Sequence, residues 1–428
     1  MEQDLQQHVG EGEQGFGIAE AIKEANRCLN CKVPGCQEGC PISNDIPEFI
    51  AALGRGNIGE ARQIIARKSN LPAVCGRVCA HELQCEGHCV LAKAGKRIRI
   101  GKLERFIADF SFEMQIPLDK APQKTRGKVA VIGSGPAGLT VAGDLAKMGF
   151  AVTVYEALHE PGGILLYGIP QFRLPKEVVR REVLQIESRG VNFINDTMVG
   201  PDINVDEMFA KGMDAIFIGS GTAIAKELDI PGKDLDGVIQ SSYLLRMNYL
   251  HAAGQIGRED VPVQPGDEVL LIGAGNVGMD AARTAVRLGA ASVSVLYRGK
   301  EDDIPALRAE YQAARADGVK FIWEAMPLEF EGSSEKLSGL VVEQGGGCHL
   351  IPANKAFLTV GSRPANRIVS TTIGIDVDDA GYVVTKQRPY GMTTRKGVFA
   401  GGDVVHRPAS VVLAMKEAKK VAEGIAAY

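Results

Sequence analysis

Eight of the nine cysteines in this 428-residue chain fall within its first 89 residues. They form two runs, Cys28, Cys31, Cys36, Cys40 and Cys75, Cys79, Cys85, Cys89. The first run reads C-x2-C-x4-C-x3-C and closes on Pro41. Thiolates set this densely in one short segment are the pattern of a metal-held module. A disulfide framework would need secretion, and the polar, acidic start MEQDLQQHVGEGEQGFG carries no apolar signal-type stretch. No apolar run approaches the roughly 18 residues of a membrane span. A cytoplasmic setting, where thiols stay reduced, is therefore expected. The net charge of −4 argues against a general affinity for nucleic acid.

Behind this segment the pattern changes. Residues 46–68 carry apolar residues at helical spacing (Phe49, Ile50, Leu53, Ile58, Ala61, Ile64, Ile65), and residues 100–115 read as a second helix. A polar stretch from Pro117 to Gly127 reads as a linker, so the cysteine module is expected to be separable. Then a strand (128–133), a helix (138–148) and a strand (151–156) make one βαβ unit. The pattern recurs about 140 residues later, with a strand at 268–272, a helix at 277–288 and a strand at 292–297.

Each unit holds a Gly-rich loop between strand and helix, the context that gives such loops meaning. The first is Gly133-Ser134-Gly135-Pro136-Ala137-Gly138, and Glu156 ends the next strand where an acid binds a ribose hydroxyl pair. The second is Gly273-Ala274-Gly275-Asn276-Val277-Gly278. Its next strand runs into Arg298 instead of an acid, which suits a 2′-phosphate and favours NADP over NAD, although Glu301, Asp302 and Asp303 follow closely. In both loops the glycines let the backbone approach a pyrophosphate seated on the helix N-terminus. The segments Gly219–Thr222 and Val360–Pro364 read as chain passages between two nucleotide domains. Near the C-terminus, Gly401-Gly402-Asp403 precedes a last helix that starts near Ser410.

These marks resemble a group of iron–sulfur flavoproteins. The chain is similar to the small subunit of bacterial glutamate synthase, to the flavin and NADPH-binding part of dihydropyrimidine dehydrogenase, and to the large subunit of NADH-dependent ferredoxin:NADP oxidoreductase. The resemblance rests on RCLNCKVPGCQEGCP (27–41), AVCGRVC (73–79), CEGHC (85–89), IGKLERF (100–106), GGILLYGIPQFRLPK (162–176), MTTRKGVFAGGD (392–403) and the two Gly-rich loops. It implies an α/β protein of the two-dinucleotide flavoprotein fold: two Rossmann-like dinucleotide-binding domains preceded by a helical iron–sulfur domain. The expected boundaries are 1–120 for the helical domain with two 4Fe–4S clusters, 121–246 and 362–428 for the two parts of the FAD-binding domain, and 247–361 for the NAD(P)H-binding domain.

By position, the resemblance gives one cluster Cys28, Cys31, Cys36 and Cys89, and the other Cys40, Cys79, Cys85 and the carboxylate of Glu104. Cys75 is then spare, whereas cysteine counting alone gives four plus four, and zinc remains the alternative metal. The resemblance further assigns Gly163, Arg173, Gly402, Asp403 and Ser410 to FAD. No catalytic acid or base is expected, because hydride transfer from nicotinamide to flavin needs only stacked rings and excluded water. No thiol pair beyond residue 89 suits a disulfide reductase. The implied function is an electron-input subunit that oxidises NAD(P)H and serves a protein partner, docked near the iron–sulfur domain. The alternatives are a glutamate synthase-like enzyme first, then a bifurcating transhydrogenase-like or a dihydropyrimidine dehydrogenase-like one. A non-catalytic scaffold with degenerate sites is the alternative of another class. The basic residues Lys93, Lys96, Arg97, Arg99, Lys102 and Arg105 are candidate contacts for an acidic partner.

Overall fold

The computed structural model describes residues 15–117, 122–365, 367–408 and 410–428; residues 118–121 of the expected linker lie outside them. The chain forms two compact units. One takes in the chain up to Leu165 together with Phe172–Thr222 and Pro364–Tyr428; the other comprises Leu166–Gln171 and Ala223–Arg363.

In the first unit the cysteine module is helical. Proline at the start of Ile46–Gly54 removes an amide that would have no partner there, and the helix buries Phe49, Ile50 and Leu53. The stretch expected as one helical run breaks at Arg55–Asn57. Gly56 turns through φ +80°, and the Asn57 side chain caps the next helix by accepting from Glu60 N at 3.1 Å. That helix, Ile58–Lys68, buries Ile58, Ala61, Ile64 and Ile65 in the same core as Phe49 and Leu53. Further helices run from Pro72 to Val78 and from Ile100 to Glu113.

The same unit holds a seven-stranded sheet. Its strand order is Thr385–Gln387, Tyr390–Thr393, Val398–Ala400, Ala215–Ile218, Lys128–Ile132, Ala151–Tyr155, Asn192–Ile194. The five strands from Val398–Ala400 onward run parallel, and the first two are antiparallel. Val129 to Ile132 is a continuous apolar run because both faces of the central strand are covered. The helix Pro136–Lys147 packs against the C-terminal helix Val411–Ala427.

The second unit is built on a five-stranded parallel sheet ordered Val238–Gln240, Lys355–Leu358, Glu268–Ile272, Ser292–Leu296, Lys320–Ile322. An antiparallel three-stranded sheet (Ala325–Ser333, Lys336–Gln344, Gly347–Pro352) accompanies it. The unit begins at Ala223, earlier than the expected boundary at 247, because the edge strand Val238–Gln240 pairs with Lys355–Leu358. Among the described residues, no helix is long and apolar enough to cross a membrane.

Candidate cluster and nucleotide sites

The eight N-terminal cysteines gather around two separate cavities. Cys28, Cys31, Cys36 and Cys89 line the first, with Leu29, Val90 and Ile98 among the other wall residues. Cys40, Cys75, Cys79 and Cys85 line the second, together with Asn44, His81, Glu104 and Val412. The two cysteine runs therefore exchange members: Cys89 joins the first run's cavity, and Cys40 joins the second's.

Three glycines allow this convergence. A side-chain carbon on Gly39 would meet the His88 ring at 2.6 Å, so the short helix Gly35–Glu38 lies directly on the Cys85–Cys89 segment. On Gly76 it would meet the Arg105 backbone nitrogen at 2.6 Å, which brings the helix of Cys75 onto the helix of Glu104. On Gly101 it would meet His81 Cε1 at 2.4 Å. Burial drives the His81 pKa down to about 4, so the ring is neutral.

Burial also pushes the thiols upward, Cys36 and Cys40 each to about 11. The neighbouring sulfurs Cys28 and Cys89 add to the shift at Cys36, and Glu104 adds to it at Cys40. Burial lifts the Glu104 carboxyl to about 8, with Glu182 raising it further and Arg62 opposing. A set of buried acids that resist ionisation together is stable as anions only around a cation. A single zinc draws its ligands to about 2.3 Å of one point. The sulfurs instead ring cavities, an arrangement that fits a cluster.

In the second cavity the three candidates for a fourth ligand differ. The Cys75 thiol is buried and donates to Met415 Sδ at 3.6 Å, and it is also hydrogen-bonded to Cys79. Glu104 Oε1 accepts from Asn44 Nδ2 at 3.3 Å. His81 Nε2 is buried without a partner.

The first Gly-rich loop joins the strand Lys128–Ile132 to the helix Pro136–Lys147, whose N-cap is Gly135. Gly133 sits at φ +91°, and a side-chain carbon there would meet Gly219 O at 2.8 Å. On Gly138 it would meet Gly133 O at 1.9 Å, whereas the space around Gly135 is open. Pro136 and Ala137 form the first turn. Glu156 is buried and accepts from Ser134 N at 2.8 Å, from Ser134 Oγ, and from Leu158 N at 2.9 Å. Gly163, at φ +52°, brings the 162–163 turn against Gly135, and Gly402, at φ +73°, lies against Ala137. Burial lifts Asp403 to about 6, with His406 opposing. Ser410 caps the last helix by accepting from Leu413 N at 3.4 Å. Arg173 is half-buried in the turn before the helix Lys176–Glu187. One loop, one acid and one turn from each end of this unit thus surround an open helix N-terminus, which suits a dinucleotide pyrophosphate.

The second unit repeats the device. Gly273 is at φ +112°, Gly275 faces open space, and Gly278 packs on Gly273 O. Asn276 Oδ1 accepts from Leu307 N at 2.9 Å, and Ala274 and Val277 flank it in the loop. Thr359, which no motif marks, closes the loop by donating from Oγ1 to Ile272 O at 2.7 Å and Gly273 O at 2.8 Å. Arg298 is exposed just beyond the strand Ser292–Leu296. The acids beside it are partly committed: Glu301 accepts from Tyr311 Oη at 2.7 Å and lies 3.8 Å from Arg315.

Comparison with known proteins places this architecture. Residues 127–418 match the pyridine nucleotide-disulphide oxidoreductase family, and residues 5–116 match the 4Fe-4S cluster domain II of dihydropyrimidine dehydrogenase. The glutamate synthase [NADPH] small chain of Halomonas elongata is 35% identical, over 96% of this chain and 91% of that protein. That of Escherichia coli is 34% identical, over 96% and 92%. The chain belongs to this family. It is an NAD(P)H-dependent iron–sulfur flavoprotein oxidoreductase with FAD, NAD(P)H and 4Fe–4S clusters as cofactors. The NAD-dependent dihydropyrimidine dehydrogenase subunit PreT of Escherichia coli is also similar, 33% identical over 99% of this chain and 98% of that one. Among solved structures, T. acidophilum thioredoxin reductase (TM-score 0.55, 20% identity, 71% of this chain and 99% of that one) shares the fold. So does FprA from Mycobacterium tuberculosis (0.59, 19%, 70% and 84%).

Proposed function

We propose that this chain is the electron-input subunit of a larger enzyme, taking reducing equivalents from NADPH and delivering them singly to a protein partner. One observation carries the reading: the two cysteine cavities occupy different settings. The second is lined by Val412 of the C-terminal helix, which begins beside the Gly402-Asp403 turn. The first is lined by Leu29 and Val90, 60% and 55% exposed. Cys40, Cys79, Cys85 and Glu104 hold the inner cluster in this reading, and Cys28, Cys31, Cys36 and Cys89 hold the outer one. When bound, FAD accepts the nicotinamide hydride and the clusters carry single electrons.

The chain's own residues bind and orient. The Gly133–Gly138 loop and Glu156 seat the flavin nucleotide, and Asp403 accepts from its hydroxyls. The N-terminus of the helix capped by Ser410 favours the anionic reduced form. The Gly273–Gly278 loop and Arg298 seat NADPH. The partner is an amide-transferring glutamate synthase subunit, or, on the full-length match to PreT, a pyrimidine-reducing one. To test the reading, the purified chain is mixed with NADPH and a dye acceptor, then with each partner class. Bleaching of the flavin, dye reduction and turnover only with a partner support it. A colourless chain that NADPH leaves unchanged would mark a scaffold, and turnover of an organic substrate by the chain alone would refute the input role.

A further inference from the structure

Arg62 lies on the helix Ile58–Lys68, which packs against the helix Ile100–Glu113 carrying Glu104. It is 3% exposed. Its Nη2 donates to Gln185 Oε1, and its Nη1 is buried with no hydrogen-bond partner. Glu182, 1% exposed, comes from the helix Lys176–Glu187. Its Oε1 accepts from Ala73 N at 2.6 Å, at the start of the helix leading to Cys79, and its Oε2 has no partner. The carboxylates whose charge acts on Arg62 are those of Glu182 and Glu104. Arg189, also buried, acts on both Arg62 and Glu182, so two cations and two acids share the buried region where these helices meet, and Glu104 also lines the second cysteine cavity.

A buried guanidinium with an open N–H is costly, and arginine cannot escape the cost by losing its proton. Removing one partner of such a buried set is strongly destabilising, whereas an apolar replacement of the whole set is often neutral, so packing alone is a weak reason for it. We propose that Arg62 is the fixed counter-charge of the cluster held in the second cavity, raising its midpoint potential, and that Glu182 is the opposing charge that trims it. The inference rests on the reading that this cavity holds a 4Fe–4S cluster. A thiolate-ligated cluster is an anion, and reduction adds one more negative charge. A cation held in a low-dielectric setting favours that reduced state, and an anion disfavours it. Arg62 is a positioning and tuning residue here, with no contact to a reacting atom required.

The test compares Arg62→Met, Glu182→Gln and the double variant with the unmutated, full-length, FAD-loaded protein. Iron and sulfide are counted first, and the electron paramagnetic resonance signal lost in Cys40→Ala assigns the second cluster. Redox titrations are run at about pH 8.5, above the value of about 7 to which burial lifts Glu182, so that this group is ionised. The expected result is a lower second-cluster midpoint in Arg62→Met, a higher one in Glu182→Gln, and an intermediate one in the double variant, with the first cluster unmoved. If Arg62→Met does not accumulate, Glu182→Gln decides alone: a rise supports the inference and no change overturns it. Shifts of the same sign in the two single variants also overturn it. An unmutated protein without a second cluster would instead overturn the underlying reading of the cavity.

Discussion

Asn70 donates from Nδ2 to Asp144 Oδ1 at 2.8 Å, tying the cysteine module to the first helix of the flavin-type domain. Asn70 Oδ1 accepts in turn from Arg189 at 3.1 Å, and Asp144 Oδ2 takes Lys419 of the last helix at 2.7 Å. A side-chain carbon on Gly143 would strike the Asn70 amide at 2.7 Å, so the Asn70 side chain lies directly on the backbone of this helix. This buried knot corrects the expectation of a separable module. Deleting residues 1–110 should remove Ala73 N from Glu182 and Asn70 from Arg189 and Asp144, and yield aggregated, FAD-free protein. Asn70→Ala should cost about 2–4 kcal/mol, as expected for a broken buried network. Thermal melting followed by flavin fluorescence measures it. A monomeric deletion product that still binds FAD and bleaches with NADPH would show the knot to be dispensable.

The fourth ligand of the second cavity can be separated by substitution. Cys75 already spends its thiol on Met415 and Cys79, so Cys75→Ser should keep both clusters and their full iron and sulfide content. Glu104→Ala removes the carboxylate that shares the cavity and should change the magnetic signal of one cluster or cost up to about four irons per chain. Loss of iron in Cys75→Ser with a silent Glu104→Ala would restore the four-plus-four scheme.

Arg298 should decide nucleotide preference. Its neighbour Glu301 is held by Tyr311, which leaves the guanidinium exposed to pair with a 2′-phosphate. NADPH should reduce the flavin at lower concentration than NADH. Arg298→Ala should raise the NADPH requirement about tenfold, roughly 1.4 kcal/mol, and leave NADH nearly unchanged. Stopped-flow flavin bleaching reads both, and a tenfold preference of the unmutated protein for NADH would refute the assignment.

If Asp403 binds FAD as proposed, the flavin site should be pH-dependent. Burial raises its pKa to about 6 in the folded protein, so the fold holds its proton more tightly than the unfolded chain does. This group therefore favours folding less as pH rises through the window from its ordinary value to about 6. In the proposed flavin site FAD would work in the opposite sense, because its hydroxyls would donate to the ionised carboxylate. FAD affinity should be level above about pH 7 and fall as pH drops through 6, and Asp403→Asn should flatten that profile. Equilibrium dialysis across this range checks it; an unchanged slope in the variant would place the titration elsewhere.

Local patterns made much of this fold readable. The strands Lys128–Ile132 and Glu268–Ile272 and the helices after them follow from short apolar runs and glycine spacing, signals carried within a few residues. The buried polar contacts between distant segments were not readable. Arg62 meets Gln185 across 123 positions, and Asp144 meets Lys419 across 275, with no periodicity to announce either pair. Thr359 behind the second loop was missed for the same reason. Glu156 was marked as a ribose ligand from its place at a strand end; its bonds to Ser134 needed the turn geometry.

The sequence offers the basic residues after Cys89 only as candidate partner contacts, and the structure divides them. Arg97 lies 3.5 Å from Glu86, Arg105 lies 3.6 Å from Asp109, and Lys102 sits over the Phe16 ring. Lys93 and Lys96 remain exposed, as does Lys32. Near them in sequence are Leu29 and Val90 on the wall of the first cavity, and Val33, 74% exposed. An apolar rim beside lysines suits a partner with an apolar centre and acidic margin, since rim charge governs the rate of encounter and its salt dependence. Val33→Asp should weaken partner binding about tenfold, roughly 1.4 kcal/mol, through lost apolar contact. Replacing Lys32, Lys93 and Lys96 together by glutamate should slow association and abolish its acceleration at low salt. Neither change should alter NADPH oxidation with a neutral dye, because the nucleotide sites are untouched. Surface plasmon resonance against the co-purified partner at several salt concentrations measures both effects, and unchanged kinetics in the two variants would move the docking face away from the first cavity.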